Sequence, residues 1–128
     1  MFYILDENNK PKKATLQECG DWMNDPRRIV KQDNYWPWFV STVFLGIDHK
    51  MPPADNEYDE PVLFETMVFR AGSGGAGIKQ RRYTSYEDAQ AGHQDMATKY
   101  FLLRNLSACA IGFVVVAVIM MAALTVIL

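Results

Sequence analysis

The segment Trp38-Phe-Val-Ser-Thr-Val-Phe-Leu-Gly-Ile47 is predicted to be a strand, because it is rich in the β-branched and aromatic residues that favour strands. Side chains alternate between the two faces of a strand. Val40, Thr42 and Phe44 therefore share one face of this predicted strand, and the other face carries Phe39, Ser41, Val43 and Leu45. Both faces are mostly apolar. The sequence therefore predicts a sheet that is either covered on both sides or uses one side for a partner.

A second apolar strand is predicted at Val62 to Phe69, after an acidic, proline-containing loop at 48–60. Phe64, Thr66 and Val68 share one face, and Glu65 points to the other. A carboxylate within an apolar strand needs a partner if it is buried. We expect that partner to be Arg82 or Lys79. The alternative is that Glu65 is a polar residue on a half-exposed face and needs no partner.

The rest of the head supplies shorter elements. A strand is predicted at 2–5, and the Thr15/Glu18 capping box starts a helix at about 16–24 with Leu16, Cys19 and Met23 on its apolar side. A strand is predicted at 28–32, a mobile Gly-rich loop at 70–78 and a short edge strand at 81–83. Apolar residues then recur with helical spacing from Ser85 to Tyr100.

The segment from Leu106 to Leu128, LSACAIGFVVVAVIMMAALTVIL, contains no charged residue. As a helix it would reach roughly 34 Å, enough for a hydrocarbon core of about 30 Å. A helix that is apolar all round is poorly suited to burial against a small domain. We therefore predict a membrane anchor, whose residues include Leu106, Gly112, Phe113 and Leu128.

The predicted fold is thus α+β. A small, mostly antiparallel sheet of three to five strands is accompanied by a short N-terminal helix and a long C-terminal helix that runs into a single transmembrane helix. Residues 1–104 form the head and residues 105–128 the anchor.

Charge and composition indicate which partners the head has and on which side of the membrane it lies. The net charge of −2 gives no basic field for nucleic acid. Basic residues precede the span, so the positive-inside rule predicts a cytoplasmic head on a bacterial inner membrane. Amphipathic or basic side chains suited to the headgroup level are Trp36, Trp38, Lys99 and Arg104, although both tryptophans also suit a domain core. The pair Ala108 and Gly112 fits helix–helix packing and self-association.

Three segments resemble a family of small uncharacterised proteins from tailed bacteriophages and prophages. They are Val40-Ser-Thr-Val-Phe-Leu-Gly-Ile-Asp-His49, Leu63-Phe-Glu-Thr-Met-Val-Phe69 and Arg82-Tyr-Thr-Ser-Tyr-Glu-Asp-Ala-Gln-Ala-Gly-His93. The resemblance covers roughly residues 1–97 and implies a phage origin and a small α+β fold. It implies no activity, so it carries over no functional residue. Members usually end soon after the helix, and the aromatic run at 35–39 is unusual for them.

Possible chemistry rests on both histidines of the chain, with nearby carboxylates: Asp48, His49, Glu65 and His93. Two histidines and a carboxylate suffice for a metal site, but no compact ligand spacing is present. The alternative is that His93 packs against the sheet and bonds to Asp48 or Glu65. The glycines at 72–77 match a phosphate-loop pattern without opening a helix, so no cofactor is predicted.

Three functional hypotheses follow. The first is a phage-encoded, membrane-anchored, non-enzymatic protein that binds a host or phage protein, as in host takeover or superinfection exclusion. The second is a virion component with an apolar packing helix. The third is a small metal-dependent hydrolase that uses His49 and His93.

Overall fold

A computed structural model describes residues 1–49 and 60–127, with the side chains at 116, 117 and 120–127 outside the description. The predicted acidic loop at 48–60 therefore lies mostly outside the described residues. The elements are β1 (Phe2–Leu5), β2 (Pro11–Ala14), α1 (Leu16–Trp22), β3 (Ile29–Tyr35), β4 (Trp38–Phe44), β5 (Phe64–Arg70), β6 (Gly77–Tyr83) and α2 (Tyr86–Ile127). The α+β class predicted from the sequence is confirmed.

The main sheet is antiparallel, with the strand order β3-β4-β5-β6. The predicted inner face of β4 is confirmed, because Val40, Thr42 and Phe44 are all fully buried. Thr66 lies opposite Thr42 on β5 and is also buried. Helix α2 packs across this face and contacts all four strands.

The strand β6 is longer than the sequence predicts. It begins at Gly77, inside the stretch expected to be a loop, and only residues 71–76 form the turn. The backbone of β5 pairs with β6 from Phe69↔Gly77 to Phe64↔Tyr83. Pairing with a well-formed neighbour thus outweighs the low strand propensity of glycine.

The N-terminal residues form a hairpin and a short helix at one end of the sheet. The strand β2 was not predicted, but the turn after Leu5 brings it antiparallel to β1. The capping box of α1 is confirmed, and its hydrogen bonds from Thr15 lower the pKa of Glu18. Leu16 is 68% exposed, so its predicted place in the apolar stripe was wrong; Cys19 and Trp22 are the buried residues.

Helix α2 joins the head to the apolar segment without a break. Its buried side chains are Ala89, His93, Met96, Ala97 and Tyr100, and the described residues after Tyr100 are exposed.

The predicted transmembrane helix receives no support from the described residues. Within that part of the chain, no helix is both long and apolar enough to cross a membrane. The side chains at 116, 117 and 120–127, together with Leu128, lie outside the described part of the predicted span.

Candidate functional site

A chain of buried polar side chains crosses the sheet beneath α2. The Nδ1 atom of His93 lies 2.7 Å from the hydroxyl of Thr42, which in turn lies 2.6 Å from the hydroxyl of Thr66. On the other side of the ring, Nε2 lies 3.0 Å from a carboxylate oxygen of Asp33. The chain thus connects β3, β4 and β5 to the helix, and it satisfies both ring nitrogens of a fully buried histidine.

The order carboxylate, imidazole and hydroxyl resembles that of a nucleophilic triad. A triad needs a nucleophile that a substrate can reach. Here Thr42 and His93 are both 0% exposed, and only Asp33 reaches the surface, with 27% of its side chain exposed. The arrangement therefore serves packing, as the sequence analysis proposed for His93, but with Asp33 in place of Asp48 or Glu65.

The other metal candidates do not join His93. Glu65 lies on the opposite face of the sheet, where it bonds to Gln80 and pairs with Arg82 at 2.9 Å. This confirms Arg82 as its predicted partner. His49 is exposed, and a carboxylate oxygen of Asp48 accepts a bond from the backbone of Val62 at 2.9 Å. Within the described part of the chain, no group of three potential ligands is placed to hold a metal ion.

A second feature is the end of the head from which α2 departs, which we call the junction. The turn between β3 and β4 lies against α2 there. The rings of Tyr35 and Phe101 are 5.3 Å apart, and those of Trp38 and Tyr100 are 5.1 Å apart. Both contacts fall where the buried face of the helix ends.

The turn between β5 and β6 completes the junction. Ala71 donates a backbone hydrogen bond to the carbonyl of Pro37 at 2.8 Å, so the two turns are joined. Arg70 lies over the ring of Trp38, with its guanidinium carbon 5.2 Å from the ring centre. This cation–π contact leaves the charge of Arg70 at the surface, because the residue is exposed.

The residues predicted for a membrane interface all lie at or near the junction. Trp36 is 72% exposed at the tip of its turn, whereas Trp38 is partly buried. Lys99 and Arg104 are exposed on α2 beside the contacts just described. Arg70 was missed by the sequence analysis, and its place after a strand at a Gly-rich turn was the available signal.

The predicted anchor residues begin just beyond the junction. Leu106 is 67% exposed and Phe113 is 79% exposed. A Cβ atom added at Gly112 would meet no heavy atom within 4 Å, so this glycine borders open space. Leu128 lies outside the described residues.

A third feature is the face of the sheet turned away from α2. It carries four partly exposed apolar residues, which are Phe39, Val43, Met67 and Phe69. The rings of Phe39 and Phe69 lie 6.1 Å apart. Neither helix covers this face: α2 packs on the other one, and α1 reaches the sheet through Trp22, whose ring meets Phe44 on that same inner side. We call it the open face.

No protein-family model, curated protein or solved structure matches the chain.

Proposed function

We propose that the protein is a membrane-anchored, non-enzymatic binding protein, encoded by a phage, whose head engages a host or phage protein at the cytoplasmic face of the bacterial inner membrane. The phage origin rests on the resemblance of the three segments within residues 40–93. Host takeover and superinfection exclusion are roles that suit a small module held at that membrane.

One observation supports the proposal most directly. Helix α2 continues out of the head without a break, and beyond Tyr100 its described side chains are exposed although most of them are apolar. Phe101, Leu102, Leu106, Ile111 and Phe113 are between 41% and 79% exposed. Exposing so much apolar surface to water is unfavourable, at about 25 cal/mol for each Å². A lipid environment removes that cost.

The sequence supports the same interpretation beyond the described side chains. The stretch Leu106–Leu128 has no charge, and its length suits one crossing of a bilayer. Basic residues at 79, 81, 82, 99 and 104 precede it, which favours a cytoplasmic head.

The open face is the surface that we propose for the protein partner. Apolar residues on a sheet face that neither described helix covers are typical of interaction sites when they form a contiguous patch. The ion pair between Glu65 and Arg82 lies beside the patch and would provide polar specificity. The triad-like arrangement of Asp33, His93 and Thr42 has its hydroxyl and its imidazole fully buried, which favours binding over catalysis at that place.

Alkaline extraction of membranes from bacteria that express the full chain tests the anchoring. We expect the protein to remain with the lipid. Replacing Val114 and Val118 with aspartate should release it, because each charge in the middle of a span costs about 3 kcal/mol. The matched control places the same charges at Leu16 and Ile78, which are exposed in the head, and should leave the protein in the membrane.

Site-specific photocrosslinking in the same cells tests the partner. A crosslinker at Met67 should give one discrete adduct that disappears in the variant with the charged span, whereas a crosslinker at Gln17 on α1 should give none. Extraction of the unmodified chain by alkali would contradict the anchoring. Equal adducts from both positions would contradict recognition through the open face.

A further inference from the structure

We infer that the junction binds the anionic phospholipid headgroups of the bilayer, through Trp36, Arg70, Lys99 and Arg104. This inference rests on the proposed membrane anchoring, and it adds a lipid class and a fixed orientation of the head. In that orientation the two turns of the junction face the bilayer, and the N-terminal hairpin lies at the far end of the head.

The level of the junction along α2 is the first argument. Among the described side chains of α2, Tyr100 is the last buried one and contacts Trp38, while Phe101 begins the exposed apolar run. Lys99 and Arg104 lie five residues apart, about 7.5 Å along the axis. The headgroup region of one leaflet is about 5–7.5 Å thick. If the uncharged segment from Leu106 enters the hydrocarbon, Lys99 and Arg104 lie just before it and their long side chains reach the headgroups.

Trp36 is the second argument. Of the three tryptophans, Trp22 is 9% exposed in the core and Trp38 is partly buried, but Trp36 is 72% exposed. An exposed indole at the tip of a turn contributes little to the stability of the head. The headgroup region favours this side chain, because its ring is apolar while its N–H still finds a hydrogen-bond acceptor.

The distribution of charge is the third argument. No acidic residue occurs at 34–47, 66–86 or 96–128, and Asp95, one helical turn before Lys99, pairs with Arg81 at 3.3 Å. In the described part of the chain, no carboxylate pairs with Arg70, Lys99 or Arg104.

Arginines elsewhere in the head behave differently. Arg81 pairs with Asp95, and Arg82 pairs with Glu65. The junction is therefore a cationic patch within a chain whose net charge is −2. Anionic headgroups complement it, and a basic side chain near such a surface gains about fivefold in binding.

Lipid is favoured over an acidic protein or nucleic acid because the patch is continuous with the apolar helix. Lys99 and Arg104 flank the start of the exposed apolar run in sequence, and Trp36 and Arg70 belong to the two turns that meet near it. A separate macromolecule on this patch would have to compete with the bilayer that the helix enters.

Fluorescence quenching in nanodiscs tests the inference on the full chain. One set of discs contains phosphatidylcholine alone and the other contains added phosphatidylglycerol, each with lipids brominated close to the headgroup. We expect tryptophan quenching to be stronger in the anionic discs. Replacing Trp36 with phenylalanine should remove most of that difference, and high salt should reduce it.

Charge variants test whether the lipid-dependent quenching requires the cations of the junction. The double variant Arg70→Gln and Lys99→Gln should lose most of the lipid-dependent difference, whereas Arg70→Lys with Lys99→Arg should keep it. Lys12→Gln with Lys13→Gln makes the same charge change on exposed β2 residues and should leave the quenching unchanged.

Equal quenching in both kinds of disc, from a chain that co-elutes with them, would overturn the lipid inference and leave the anchor intact. A difference in quenching between the two kinds of disc that persists in Trp36→Phe would also overturn the lipid inference. A chain that elutes free of the discs would overturn both the inference and the proposed anchoring.

Discussion

At the scale of single residues, His93 shows how the head tolerates a polar group in its centre. The ring is fully buried, and its two nitrogens are matched by Thr42 and Asp33. A buried polar atom without a partner costs more than a typical hydrogen bond contributes. The stability of the head should therefore be sensitive to Asp33, although Asp33 lies near the edge of the sheet.

Replacing Asp33 with alanine should lower the free energy of unfolding by about 1–3 kcal/mol, because Nε2 of His93 loses its partner. Asp33→Asn keeps a side-chain oxygen that can accept this hydrogen bond and should cost less. Urea unfolding of the head, followed by near-ultraviolet circular dichroism, measures both. If the two variants lose equal stability, the hydrogen bond to His93 is not what makes Asp33 important.

The packing of His93 could be predicted from its helical spacing, but its carboxylate partner could not. A bulge between Ile29 and Lys31 shifts the register of β3, so Lys31 lies opposite Thr42 and Asp33 lies opposite Val40. This places Asp33 on the inner face. Register and bulges depend on the neighbouring strand, and a single sequence does not specify them. Arg82 was one of the two partners predicted for Glu65, because both residues lie in recognisable strand patterns.

At the scale of elements, α2 has a part that packs on the sheet and a part that is exposed. Its first turns pack closely on the sheet, and Gly92 marks the tightest approach, since a Cβ atom there would overlap the ring of Tyr83 on β6. Beyond Tyr100 the same helix contacts little of the head. The spacing of apolar residues predicted the first part, and the charge-free composition indicated the second. The full extent of β6, however, depends on pairing with β5 rather than on local propensity.

The close approach of α2 to β6 can be tested at Gly92. Gly92→Ala should reduce the free energy of unfolding by about 1–3 kcal/mol through overpacking against Tyr83. The control is Gly20→Ala in α1, where no heavy atom lies within 4 Å of the added group. That variant should be neutral or stabilise by about 0.5–1 kcal/mol, because alanine has the higher helix propensity. Thermal or urea unfolding compares the two. Equal effects would mean that Tyr83 moves aside.

At the scale of the whole molecule, the head has two apolar clusters separated by the polar chain around His93. One contains Phe44, Phe64 and Trp22, and the other contains Val40, Val68, Met96 and Tyr100. Both are complete by residue 100. The α+β class could be predicted from the strand and helix patterns. The division near residue 104 stays a prediction, made from the abrupt change in composition there. The junction could not, because it depends on how two turns meet the helix.

A fragment that ends at Arg104 should therefore fold as the full chain does. It retains both clusters and the contact between Tyr35 and Phe101. We expect its urea midpoint to match that of the head in the detergent-solubilised full chain, and we expect it to leave the membrane fraction. Unfolding followed by tryptophan fluorescence measures the first outcome, because Trp22 and Trp38 report one cluster each.

A shorter fragment that ends at Asp95 is the matched control. It lacks Met96 and Tyr100, whose side chains are 5% and 8% exposed in the second cluster. Losing one such side chain costs about 2–5 kcal/mol, and the stability of a small domain is of similar size, so this fragment should be largely unfolded. If the fragment ending at Arg104 is destabilised as much, the apolar segment must pack on the head. That result would remove the exposed helix on which the proposed anchoring depends.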